Sequence, residues 1–294
     1  MDWDDLRLFL AVARGESLSA AGRALRLDPA TVGRRVARLE DALGQRLFLK
    51  GPQGYALTDE GLRLMAHAER AEAAVAGVAE DFGGAGGGLA GTIRLGAPDG
   101  CATYLLPQVL ARIADDNPGL DVQVVALPRV FNLSRREADL AIGVSRPEAG
   151  RLTVQKVADY HLHLAASRQY LACHGTPLAP ADLTRHRMAG YIPDMIFDKE
   201  LDYLTSLGIS RVALASNSVP VQLMWLRAGA GVGMVHAFAM PFAPELVPIL
   251  PEIRLTRSFW LIRHADDARS ARLARFAEVL AAGVRAEVAW QENA

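Results

Sequence analysis

Residues 27–40 read LDPATVGRRVARLE. Val32, Val36, Leu39 and Leu43 recur by 4, 3 and 4, which marks one face of a helix. Thr31, Arg34, Arg35 and Arg38 form a second stripe, about 100° round the same helix. Asp28 stands where an N-cap belongs, Pro29 suits the first helical position, and Gly44 suits the end. The apolar stripe needs a core. The cationic stripe is unusual, because the 294-residue chain carries a net charge of only −1 and an ordinary globular composition, 51% hydrophobic and 22% charged. Between residues 21 and 50, Arg23, Arg26, Arg34, Arg35, Arg38, Arg46 and Lys50 face only Asp28, Glu40 and Asp41. The basic character is therefore local.

Working outward, Leu6, Phe9, Leu10 and Ala13 give a first helix that begins at Asp4–Asp5 and stops at Gly15. SLSAAGRALRL predicts a short second helix, with Ala21, Ala24 and Leu25 facing inward. The helix at Pro29–Ala42 is the third. RLFLKGPQGYALT then reads as two short strands around a Gly-Pro-Gln-Gly turn. From Thr58, which suits an N-cap, a long helix follows in which Leu64, Ala68, Ala71, Val75, Val78 and Phe82 step by 4 and 3. That is a short coiled-coil seam suited to a second copy of the chain, the alternative being a helix packed on its own domain. GGAGGG at 83–88 reads as a joint.

After Thr92 strands alternate with helices, the pattern of an α/β sheet. TIRLG, DVQVVAL, ADLAIGV, VQKVA, HLHLAA, RVALAS and SFWLIR are the expected strands; TYLLPQVLARIADD, 197–207, 219–228 and 270–284 are expected helices. Cys101 and Cys173 make no framework, which fits a reducing compartment. The acidic start, MDWDDLRLF, lacks a signal peptide's basic region, and no stretch suits a membrane span, so a cytoplasmic protein is expected. No hydrolase, zincin, P-loop or dinucleotide motif occurs; no enzyme, cofactor or metal is expected, and His161 and His163 suit strand packing better than zinc.

A cationic helix after a helix and a short turn, followed by a hairpin, suits duplex DNA: the second helix enters the major groove and the hairpin, or wing, touches the backbone. The candidate contacts are Ser19, Pro29, Ala30, Thr31, Gly33, Arg34, Arg35, Arg38, Lys50 and Gln53. Arginines bind phosphate or fork onto guanine, the Thr31 methyl meets a thymine methyl, and Gly33 lets the helix sit close. Residues 16–65, ESLSAAGRALRLDPATVGRRVARLEDALGQRLFLKGPQGYALTDEGLRLM, resemble the winged helix-turn-helix of LysR-type transcriptional regulators. The matching features are Ser-x-x-x-Ala, Val-x-x-x-Val-x-x-Leu-Glu, Leu-Gly-x-x-Leu-Phe and Leu-Thr-x-x-Gly. Gly33 and Asp28-Pro29 depart from the family's usual Ser and Ser-Gln.

The resemblance extends to Asn117–Leu120, Ala138–Ile142 and Ala228–Gly233. It implies a mainly α DNA-binding domain at 1–58, a linker helix and hinge at 59–88, and a two-lobed α/β effector domain at 92–294, like periplasmic solute-binding proteins. Lobe one is expected at about 92–160 plus 266–294 and lobe two at about 161–265. It further implies a homodimer or homotetramer, DNA bending and contact with RNA polymerase. Strand-to-helix turns at a lobe junction nominate Asp99, Gly100, Cys101, Thr103, Ser145, Asp194, Ser216, Asn217 and His236 as effector contacts, and helix N-termini there favour an anion. Two other readings stay open: a solute-binding protein, and redox sensing through Cys101.

Overall fold

The computed structural model describes residues 3–51, 54–82, 88–126, 138–147, 150–209, 211–265 and 270–293. Two compact units divide the chain, Met1–Gly86 and Gly87–Ala294. Gln53 and most of the 83–88 joint fall outside the described residues, as do the side chains of Val78 and Phe82.

The first unit contains α1 (Trp3–Gly15), α2 (Leu18–Leu25), α3 (Pro29–Leu43), the antiparallel pair β1 (Phe48–Gly51) and β2 (Gly54–Leu57), and α4 (Asp59–Phe82). Asp28 caps α3, its Oδ1 accepting from Ala30 N at 2.8 Å, and Gly44 closes it at φ 64°. Thr58 Oγ1 accepts from Gly61 N at 2.9 Å and donates to Arg46 O at 2.7 Å, so one hydroxyl both caps α4 and ties it to the chain before β1. Phe9, Val12, Val32, Val36, Leu39 and Leu47 form the core. Ala24, expected to face inward, is exposed. Buried Gly22 instead lets α2 lie close against the turn into α3, where a Cβ would lie 2.6 Å from Leu27 O.

The seam on α4 is not wholly free. Ala68 is fully buried in this unit's own core and Leu64 packs against it, because α1 lies along the start of α4. Arg14 holds Glu72 through two hydrogen bonds, of 3.2 and 2.7 Å. Leu64 and Ala68 are thus taken up within the chain, and the exposed stripe starts at half-buried Ala71 and exposed Val75.

The second unit runs β3 (Ala90–Ala97), α5 (Asp99–Tyr104), α6 (Leu106–Asp116), β4 (Gly119–Ala126), β5 (Leu140–Gly143), β6 (Leu152–Ser167), α7 (Arg168–His174), β7 (Met188–Gly190), β8 (Leu214–Ala215), α8 (Val219–Arg227), β9 (Val232–His236), β10 (Leu246–Pro248), β11 (Arg254–His264) and α9 (Ala271–Asn293). Among the described residues these nine strands join in the order β4-β3-β5-β11-β6-β9-β7-β8, with β10 also on β6. VQKVA and HLHLAA are halves of one strand, β6, paired antiparallel with β11 from Leu152↔His264 to His163↔Arg254. Trp260–Arg263 also pair with β5, whereas Leu162–Ala166 pair with β9. Through β11 and β6 the β4-β3-β5 part of the sheet is thus joined to the β9-β7-β8 part. The β6–β11 pairing shifts register between Phe259 and Trp260. Two short 3-10 turns, Lys199–Leu201 and Thr205–Leu207, replace the helix expected at 197–207, and α9 continues beyond 284 to Asn293. The glycines of 229–233 serve close packing: a Cβ on Gly231 would lie 2.2 Å from Arg187 O.

Candidate nucleic-acid interface and effector site

At the start of α3, Pro29, Ala30 and Arg34 are exposed and Thr31 is half-buried; Ser19 on α2 and Lys50 on β1 are exposed too. Arg35 and Arg38 differ from Arg34. Asp5 of α1 is buried, and its Oδ1 accepts from Arg35 Nε at 3.1 Å, Arg35 Nη2 at 2.9 Å and Arg38 Nη2 at 2.5 Å. Asp4 Oδ2 adds a 3.5 Å ion pair to Arg35 Nη1. Gly33 faces α2 rather than solvent: a Cβ there would lie 3.0 Å from Leu18 Cδ1, so its missing side chain serves helix packing. Glu40, buried on the other face of α3, accepts from Leu47 N at 2.7 Å and Phe48 N at 3.2 Å. That carboxylate fixes β1 to α3, a role the Leu-Glu pair in the sequence did not disclose.

In the second unit the exit of β3 meets the start of α8. Asp99 Oδ2 accepts from Val219 N at 3.0 Å, Oδ1 accepts from Gly100 N at 2.8 Å, and the Ser218 side chain adds a further bond. Burial raises the Asp99 carboxyl above its ordinary range, with these hydrogen bonds opposing it. Gly100 packs on Val219, whose Cγ1 would lie 3.1 Å from a Cβ. Ser145 donates to Asp198, linking the chain after β5 to the segment after β7. The N–H expected to attract an anion at α8 thus already faces the chain's own carboxylate. Ser216 Oγ accepts from Ser218 N at 3.1 Å and half-buried Asn217 lies beside it. Thr103, on α5, and Asp194, in the 3-10 turn Pro193–Met195, are both exposed and join none of these bonds.

His236 ends β9 buried against Tyr160 and Phe238, its Nε2 3.5 Å from Tyr203 Oη. Burial lowers its pKa to about 3, so it is neutral. Tyr191 and Tyr203 share a hydrogen bond, and the Arg257 guanidinium lies 5.9 Å from the Tyr203 ring centre. Beside them lies a cavity of about 110 Å³, lined by Gly190, Tyr191, Tyr203, Gln222, Met234 and mainly apolar neighbours, with Asp202 the charged lining residue. Tyr191, Tyr203 and Gln222 carry no signal in the sequence that nominates them; the first two lie in irregular chain without periodicity. Cys101 is buried and its thiol pKa is pushed up by desolvation, the opposite of an activated thiolate. His161 Nδ1 lies 2.6 Å from Glu292 Oε2, tying β6 to α9.

Comparison with known proteins agrees with both units. Residues 3–62 match the bacterial regulatory helix-turn-helix protein of the lysR family, and 86–285 match the LysR substrate binding domain. The HTH-type transcriptional regulator DgdR of Burkholderia cepacia is 30% identical over 271 residues, covering 88% of each chain. The structure of CrgA, a LysR-type transcriptional regulator from Neisseria meningitidis, has a TM-score of 0.59 at 22% identity, covering 97% of this chain and 99% of that one. The crystal structure of ArgP from Mycobacterium tuberculosis has a TM-score of 0.71 at 19% identity, covering 97% of each chain. With the helix-turn-helix and the substrate binding domain both matched, the chain belongs to the LysR family of DNA-binding transcriptional regulators.

Proposed function

We propose that the N-terminal half of α3 reads the operator and that β1–β2 is the wing on the neighbouring backbone. The observation that carries this reading is Arg34, exposed on a capped helix beside Pro29, Ala30 and Thr31, without an ion-pair partner among the described residues. Arg34 is assigned to a base edge or phosphate, Thr31 to a thymine methyl, and Ser19, Lys50 and Gln53 to the backbone. Arg34→Ala should weaken operator binding by about 1–3 kcal/mol if the contact is to a base. Fluorescence anisotropy at fixed salt measures this, and unchanged affinity refutes the assignment.

Two copies pair through α4 from Ala71 and Val75 onward, with Val78 and Phe82 continuing the stripe. The antiparallel pair sets the spacing of an inverted-repeat operator. Tetramers, DNA bending and contact with RNA polymerase follow from the family resemblance. A cytoplasmic setting and a non-catalytic role fit the same reading; no helix among the described residues is long and apolar enough to cross a membrane.

A small effector is assigned to the lobe junction around Asp99, Ser145, Ser216 and His236 and to the cavity under Tyr191 and Tyr203. An uncharged molecule with a hydroxyl group suits this site better than an anion. The cavity lining carries no Lys or Arg, and Asp99 already accepts the first N–H of α8. A thermal-shift panel comparing benzyl alcohol with benzoate tests the class, since a binder raises the melting temperature by mass action. A larger shift with benzoate refutes it.

A further inference from the structure

Most of the cationic stripe on α3 is compensated inside the domain. Asp5 is held on α1 with its side chain 4% exposed, and one of its oxygens accepts three N–H groups from Arg35 and Arg38. Asp4, 53% exposed, faces Arg35 from the same turn. The Arg35 side chain is 23% exposed and that of Arg38 58%, so both guanidiniums lie at the surface yet point at carboxylates. Two aspartates and two arginines sum to zero charge. Arg34, one residue away and exposed, is outside the cluster.

We propose that Asp5, assisted by Asp4, is a specificity-determining residue that holds Arg35 and Arg38 away from DNA phosphate and so restrains sequence-independent binding. Affinity for any duplex comes chiefly from cations that displace condensed counterions, and each such phosphate contact steepens the salt dependence by about 0.9 in log–log slope. A genome offers a vast excess of non-specific sites, so a regulator whose reading helix carried three uncompensated arginines would be titrated by random DNA. An internal carboxylate removes that attraction without removing the arginines, which stay available where the fit of the operator competes successfully with Asp5. The inference rests on the reading that α3 enters the groove.

The experiment measures binding of the full chain to a random-sequence duplex by fluorescence anisotropy, between about 50 and 200 mM salt. Asp5→Asn leaves the cluster with one excess positive charge. Its slope should steepen by about one, and affinity near 0.1 M should rise roughly five- to tenfold. The double variant Asp5→Asn/Arg35→Gln restores neutrality and should return to the wild-type slope. An unchanged slope in a folded Asp5→Asn protein, checked by circular dichroism, overturns the proposal because Asp5 then restrains nothing, and a shallower one overturns it because Asp5 would be presenting the arginines to DNA. Should Asp5→Asn not fold, Asp4→Asn removes an exposed charge from the same cluster, and an unchanged slope there overturns it equally. Arg34→Ala is measured on operator DNA in parallel. If Arg34→Ala weakens operator binding while the aspartate variants do nothing, the groove reading stands and this proposal falls; if no variant alters binding to any duplex, both fall.

Discussion

The Asp99 carboxylate, at the exit of β3, accepts the Val219 backbone N–H at the first turn of α8. Two strand-to-helix turns, the one after β3 and the one after β8, are thereby joined through a single side chain. The helix N-terminus that a sequence reader would offer to an anionic effector is filled by an internal anion. Replacing Asp99 by Ala should leave Val219 N–H without its acceptor and cost the effector domain about 1–2 kcal/mol in urea unfolding. The same variant should gain a thermal shift with benzoate that the wild type lacks. An equal benzoate response in both proteins would show that Asp99 does not guard this turn.

Asp99 also makes a pH prediction of definite sign. Its folded pKa is raised by burial, so its favourable contribution is fully present below the unfolded value and is lost as pH rises through the folded one. Asp99→Asn keeps a carbonyl oxygen for Val219 N–H and removes the buried charge. It should be as stable as wild type in acid and relatively more stable at neutral pH. Urea midpoints at both pH values decide it; a constant difference between the proteins contradicts the assignment.

His236 works in the other direction. Burial lowers its pKa from 6.5 to about 3. The unfolded chain binds a proton there below pH 6.5 and the folded one does not, so stability falls as pH drops from 6.5 toward 3. The full slope is about 1.4 kcal/mol per pH unit, as an order of magnitude. His236→Gln should flatten this part of the acid limb in urea titrations from neutral pH downward. An acid limb unchanged by the substitution would mean that His236 protonates without unfolding.

The two cysteines should behave oppositely toward peroxide. Cys101 is 1% exposed with its thiol held protonated by desolvation, whereas Cys173 is exposed. Thiolate character and access govern oxidation. Mass spectrometry of native protein treated with hydrogen peroxide should find oxide on Cys173 before Cys101, and Cys101→Ser should leave regulation intact. Preferential oxidation of Cys101 would reinstate a redox role.

Local chemistry made much of this legible in advance. Asp28, Pro29, Gly44 and Thr58 mark helix ends because capping depends on neighbours in sequence, and each does so in the structure. The arginine stripe was equally visible, but its compensation by Asp5 depends on a partner 30 residues away and carried no periodic signal. Leu64 and Ala68 fit a heptad whichever surface covers them, so spacing alone did not separate an internal contact from a partner. In the effector domain, Asp99, Gly100 and Ser216 are nominated by strand-to-helix turns and meet at α8. Tyr191, Tyr203 and Arg257 escape such a reading because they come from irregular chain and a crossing strand, brought together only by sheet order.

Glu40 gives the sharpest test of the wing. Its carboxylate accepts Leu47 N and Phe48 N from within the core side of α3, so two backbone donors leading into β1 depend on one buried group. Glu40→Ala leaves both donors unpaired, at a cost of about 1–3 kcal/mol each before relaxation, while Glu40→Gln keeps one acceptor oxygen and should cost less. Gly54 supplies an independent lesion at the other strand. At φ 121° its Cβ would lie 2.3 Å from Glu16 O, the carbonyl that accepts Tyr55 N, so Gly54→Ala must push β2 away from the turn between α1 and α2. Both Glu40→Ala and Gly54→Ala should lower duplex affinity while leaving the urea transition of the effector domain in place. Full affinity in both variants would show that DNA binding does not need a fixed wing.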